Sequence, residues 1–68
     1  MTFTEWLKSQ QGRKDIIGDL ARDTAADRHA PKGDARYAHW KEHLENKHAA
    51  PAAFRALAEA WREYSVLH

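Results

Sequence analysis

The chain has 68 residues, of which 43% are hydrophobic and 31% charged, with a formal net charge of +1 and no cysteine. That length excludes a second domain, and a chain so short buries only about 60% of the surface its unfolded form exposes. The missing cysteine excludes a disulfide framework and a thiolate metal site, the balanced charge singles out no polyanion partner, and no apolar run reaches the ~18 residues of a membrane helix.

Thr2, followed three residues later by Glu5, forms a capping-box pattern. It predicts a short helix over 3–10 with Phe3, Trp6, Leu7 and Gln10 on one side. Gln11-Gly12 should end it, with glycine in the left-handed conformation. Asp15 is a natural N-cap for a second helix over 16–28. The apolar face there is Ile16 or Ile17, then Leu20, Ala21 and Thr24. Gly18 lies inside this helix, where glycine costs about 1 kcal/mol against alanine. Its presence implies close approach of another backbone or of a tryptophan ring.

His29-Ala30-Pro31-Lys32-Gly33 reads as a turn. Asp34 should cap a third helix over 35–47, with Tyr37, Trp40 and Leu44 on one face. Pro51 suits the first turn of a last helix, where its missing N–H is harmless. The expected buried stripe is Phe54, Leu57, Ala58, Trp61, Tyr64 and then Leu67 or His68. Glu59 and Glu63 have Arg55 and Arg62 close by for ion pairs along the helix. Three Trp, two Tyr and two Phe supply much of the large apolar surface. Each buried aromatic removes roughly 150–250 Å² from water, so a few close a small core. Trp6 and Trp61, on apolar faces of the terminal helices, are expected to meet. No strand pattern, repeat or low-complexity stretch interrupts this reading of four helices joined by short turns.

Two groups of residues at opposite ends carry a resemblance. The first is Phe3-Thr4-Glu5-Trp6-Leu7 with Asp15-Ile16-Ile17-Gly18-Asp19-Leu20-Ala21-Arg22-Asp23; the second is Ala56-Leu57-Ala58-Glu59-Ala60-Trp61-Arg62-Glu63-Tyr64. Together they resemble the YozE-like family, small bacterial domains with a sterile-alpha-motif-like (SAM-like) fold. Arg13, Asp27, Leu44 and Glu45 also match the family pattern. Three positions depart from it. Ile16 replaces a proline, Ala30 replaces an aromatic residue before Pro31, and His43 replaces a tyrosine before Leu44. The loss of an aromatic at Ala30 predicts that Trp40 or Tyr37 fills its space. The resemblance implies an all-α, compact four-helix bundle over residues 1–68. It implies a fold rather than an activity. SAM-like folds often serve protein association, and some bind nucleic acid, an analogy of fold alone.

Several constellations are candidates for function. Asp15, Asp19, Asp23 and Asp27 recur every fourth residue and form an acidic stripe. The stripe is either structural, through caps and pairs with Arg22, Arg28, Arg13 or Arg36, or a docking face for a basic partner. It lacks the loop spacing and central glycine of a calcium loop. His39-Trp40-Lys41-Glu42-His43 spells H-x-x-E-H, in which two His bind zinc and the Glu activates water in some peptidases. Here the match is formal. A hydrolase also needs a third ligand and a cleft, so His39 and His43 read as surface residues able at most to chelate an adventitious metal, with His48 as a neighbour. Arg28, Lys32, Arg36, Lys41 and Lys47 form a basic set along the middle of the chain, with Lys8, Arg13 and Lys14 as a second set. Such a face can follow a phosphate backbone, although no segment resembles a recognition helix. Trp40 reads as core; were it exposed, it would be a hot spot for a partner.

The expectation is a non-enzymatic protein-interaction module without cofactor or small-molecule substrate. Its candidate surfaces are Asp15, Asp19, Asp23 and Asp27 on the second helix and Arg36, His39, Trp40 and His43 on the third. Opposite charges on two faces make self-association a live possibility, and nucleic-acid binding through the basic set is the alternative. The lack of cysteine, and of an apolar N-terminal run flanked by basic residues, makes a cytoplasmic protein without a signal peptide the expectation.

Overall fold

The computed structural model describes residues 1–67. They form four helices, α1 (Phe3–Lys8), α2 (Ile16–Ala26), α3 (Tyr37–Asn46) and α4 (Pro51–Leu67), and no strand among the described residues. Helix α4 packs against each of the other three, and α1 also packs against α2.

Local chemistry explains most boundaries. Thr2 closes the capping box: its hydroxyl accepts from the Glu5 N–H at 3.2 Å, and its own N–H donates to Glu5 Oε1 at 2.9 Å. Helix α1 stops two residues early, and Gly12 does not take a left-handed conformation. Side chains replace it. Ser9 Oγ and Gln10 Nε2 both donate to the Trp6 carbonyl, and Gln11 Nε2 donates to that of Lys8. Asp15 caps α2 by accepting from the Gly18 N–H at 3.0 Å. Helix α3 begins at Tyr37 with Arg36 as its N-cap, not Asp34. Arginine has no acceptor to offer the first turn; instead its N–H donates to Nδ1 of His39 at 3.2 Å, the place a glutamate takes in a capping box.

The end of α3 carries a conformation the sequence does not advertise. His48 has φ 54°, and around it Ala49 N–H donates to the Leu44 carbonyl and His48 N–H to that of Glu45. This is a Schellman closure, built here on a residue with a Cβ, for which the left-handed region costs roughly 1–2 kcal/mol. Pro51 then opens α4 as expected.

The core joins Phe3, Trp6 and Leu7 of α1, Ile17, Leu20 and Ala21 of α2, Trp40 and Leu44 of α3, and Ala56, Leu57 and Ala60 of α4. Phe3 is its centre. Its ring lies 5.9 Å from Trp6, 5.5 Å from Trp40, 4.5 Å from Trp61 and 5.5 Å from Tyr64. Trp6 and Trp61 thus meet through Phe3 and Tyr64 rather than directly. Tyr64 also donates its hydroxyl to the Met1 carbonyl at 2.8 Å, tying the last helix to the first residue. The stripe of α4 ends at Tyr64: Val66 and Leu67 are 82% and 65% exposed, and His68 lies outside the described residues.

Gly18 fits the expectation of close approach, and the neighbour is a backbone rather than a tryptophan ring. A Cβ there would lie 2.0 Å from the Arg13 carbonyl oxygen. The connection between α1 and α2 therefore folds directly onto α2. Beside Ala30, where Trp40 or Tyr37 was expected to fill space, a hollow of about 140 Å³ lies among Thr4, Ala21, Thr24, Ala25 and Pro31. Trp40 is instead packed edge-on against Phe3.

Two substitutions test this account by urea unfolding. Gly18→Ala in an open helix would stabilise by about 1 kcal/mol; here it should destabilise by about 1–3 kcal/mol, because the Arg13 backbone must give way. His48→Gly should stabilise by about 1 kcal/mol, by relieving the left-handed strain.

Candidate functional site

The four aspartates do not act as one stripe. Asp15 is committed to its cap and to Arg13, 2.7 Å away. These two contacts, the Arg13 bond first and the Gly18 N–H second, lower its pKa. Asp19 pairs with Arg22 at 2.5 Å yet leaves 69% of its side chain exposed. Asp23 is exposed and has no ion pair among the described residues. Asp27 lies just past the end of α2, in extended backbone, and turns toward α3.

Asp27 is the centre of a polar knot. Its Oδ1 accepts from the His29 N–H at 2.9 Å; its Oδ2 accepts from His43 Nε2 at 2.8 Å and from Lys47 Nζ at 3.0 Å. The His29 N–H, then Lys47, then His43 hold its carboxyl well below the usual carboxylate range. The partners are therefore residues of α3 and the α3 cap, not the arginines anticipated for it. His43 is consumed by this contact and His39 by the Arg36 cap. The two His of the H-x-x-E-H string thus have different partners, and among the described residues no three His, Asp or Glu side chains are grouped to hold a metal ion.

Trp40 is fully buried and offers nothing to a partner. Arg36 and His39 are exposed at the start of α3. Of the basic set, Arg28, Lys32, Arg36 and Lys41 are exposed and outside any ion pair among the described residues, while Lys47 is drawn to Asp27. Glu63 does not pair along its helix with Arg62. It takes both terminal nitrogens of Arg13, at 2.8 and 3.1 Å, which lowers its pKa.

Two features escape the sequence reading. The first is Arg22, whose Nη1 donates to the Gln11 and Arg13 carbonyls at 2.6 and 2.9 Å and so pins the connection between α1 and α2. The second is a groove of about 350 Å³ between α2 and the junction of α3 with α4. Ile16 and Leu20 line it on one side, Leu44 on the other, and Ala49, Ala50, Ala52, Ala53 and Ala56 complete its apolar surface. Asp19 and Asp23 border it along α2, and Asp27 with its partners His43 and Lys47 borders it just past the helix end. The signal in the sequence is the run Ala49-Ala50-Pro51-Ala52-Ala53, whose small side chains leave space where larger ones would fill it.

The Asp27 knot makes a pH prediction. A carboxyl whose pKa is lower in the folded than in the unfolded protein stabilises the fold above its unfolded value and loses that contribution as pH falls toward its folded value. Asp27→Asn should therefore lower the melting temperature at neutral pH, and the gap to the wild type should narrow below about pH 4. Parallel thermal melts across that range check it.

A family model described as the YozE SAM-like fold matches residues 2–66. No curated protein and no solved structure matches the chain. The family match covers α1, α2, α3 and all but the last residue of α4, including the aromatic centre, Gly18 and both walls of the groove, and the protein belongs to the YozE SAM-like fold family.

Proposed function

We propose that this domain is a small protein-interaction module, working without chemistry of its own, whose docking face is the acid-bordered groove along α2. The observation that carries the reading is the groove's composition: a concave apolar lining with Asp19 and Asp23 exposed at its edge. Apolar surface supplies affinity when water is displaced. Lys47 also lines the groove but is already paired with Asp27, so Asp19 and Asp23 are the border charges left to select a partner of the opposite sign. The volume of about 350 Å³ sits at the low end of ligand pockets, roughly 300–1,000 Å³. It suits a few side chains of a protein segment, and the acidic edge favours one that also carries Lys or Arg.

Asp19 and Asp23 are the residues to change, because Asp15 and Asp27 also hold the fold. Tagged protein is used to capture partners from native lysate after nuclease treatment. The wild type should retain proteins that the Asp19→Lys, Asp23→Lys variant loses; equal retention by both would contradict the reading.

A second reading rests on a separate observation. Arg28, Lys32, Arg36 and Lys41 are exposed and unpaired with acids among the described residues, as a phosphate-binding face requires. Nucleic-acid binding through them predicts an affinity that falls steeply with salt, roughly one counterion released per neutralised phosphate. It fails if neither duplex nor single strand binds at low salt.

A further inference from the structure

Helix α4 carries a different surface at each end. Its N-terminal turn, with Ala52 and Ala53, lines the groove. Its last turn carries Val66 and Leu67, adjacent and among the most exposed large apolar side chains described. The two side chains point in different directions around the helix, so together they give its end apolar surface that is open to water. Arg62 is exposed one turn before Val66, and Glu63, one turn before Leu67, is already held by Arg13, so among the described residues the unpaired charge beside this apolar tip is a cation. Groove and tip match twice over: apolar lining with apolar side chains, and Asp23 with Arg62.

The tip cannot reach the groove of its own molecule. Ala53 and Val66 stand 13 residues apart on one continuous helix, which at 1.5 Å per residue separates them by about 20 Å. We propose that the tip of one copy seats in the groove of the next, so that the partner of this domain is a second copy of the same chain. The proposal rests on reading the groove as the docking face, and it names the occupant. Such a contact uses different surfaces on the two molecules, so it does not close into a symmetric pair but continues from copy to copy. It is also small. A few side chains fall short of the roughly 800 Å² per partner of a stable interface, so association is weak and rises with concentration.

The test compares wild type with two variants in which each half of the contact is removed. Val66→Ser with Leu67→Ser changes exposed residues only and leaves the groove intact. Ala52→Lys lays a long cationic chain over the groove, opposite Arg62, and leaves the tip intact. Near-ultraviolet circular dichroism of the aromatic cluster confirms that both are folded. Mass is then measured by sedimentation equilibrium from about 10 μM to about 1 mM, the range in which contacts of this strength populate. The wild type should grow in mass without reaching a fixed size. Each variant alone should stay monomeric, and an equal mixture should stop at a dimer, because each brings one intact half. A wild type that is monomeric throughout overturns the proposal while leaving the groove open to another protein, provided lysate capture remains sensitive to Asp19→Lys, Asp23→Lys. Growth of the wild type that persists in both single-surface variants overturns it too, and places self-association elsewhere on the molecule.

Discussion

One phenylalanine ring holds this domain together. Phe3 sits on the shortest helix, yet its ring meets Trp6 of its own helix, Trp40 of α3, and Trp61 and Tyr64 of α4. A chain of this size buries little surface, so its stability depends on a few large side chains arranged to touch each other. Ring pairs at these separations add about 0.5–1.5 kcal/mol each beyond their area. With Phe3 in place, α1 is an anchored segment rather than a fraying six-residue helix, and α4 has a surface against which three helices can pack.

The second constraint is polar and concerns the connection between α1 and α2. It has little apolar content of its own. It is held because Gly18 presents no side chain to the Arg13 carbonyl, because Arg22 donates to two of its carbonyls, and because Arg13 spans Asp15 and Glu63. These charges are exposed or partly so, and single exposed pairs contribute little; the strength comes from several contacts converging on one short segment. The same economy explains why two of the four aspartates of the stripe are committed to the fold. Asp15 and Asp27 each bridge two parts of the chain. Asp19, in the first turn of α2, and Asp23, further along it, are the two that face outward beside the groove.

Much of the fold was legible because short-range rules decided it. The Thr2–Glu5 box, the Asp15 cap, Pro51 at the first turn of α4 and the spacing of Tyr37, Trp40 and Leu44 all follow from positions three or four apart. What was not legible required the third dimension. Nothing local says that His48 takes a left-handed conformation, since glycine or asparagine would be the usual signal. Nothing local says that Asp27 reaches His43 and Lys47 across 16 and 20 residues, or that Glu63 prefers Arg13 to Arg62. The groove was missed for a related reason. Alanines read as neutral filler in a sequence, whereas at a junction between helices they create a concavity. The H-x-x-E-H string shows the converse, a pattern that looks chemical in one dimension and serves a cap and a knot in three.

The proposed working surface of this bundle is the groove along α2. Amide NMR spectra of the uniformly labelled protein, recorded over a range of concentrations, test that claim most directly. The account predicts that the signals that move belong to Asp19, Asp23 and Ala52 on one side and to Val66 and Leu67 on the other, with those of Phe3, Trp40 and Leu57 unmoved. Shifts confined to the basic residues from Arg28 to Lys41, or a spectrum independent of concentration together with a groove that no partner protein perturbs, would contradict it.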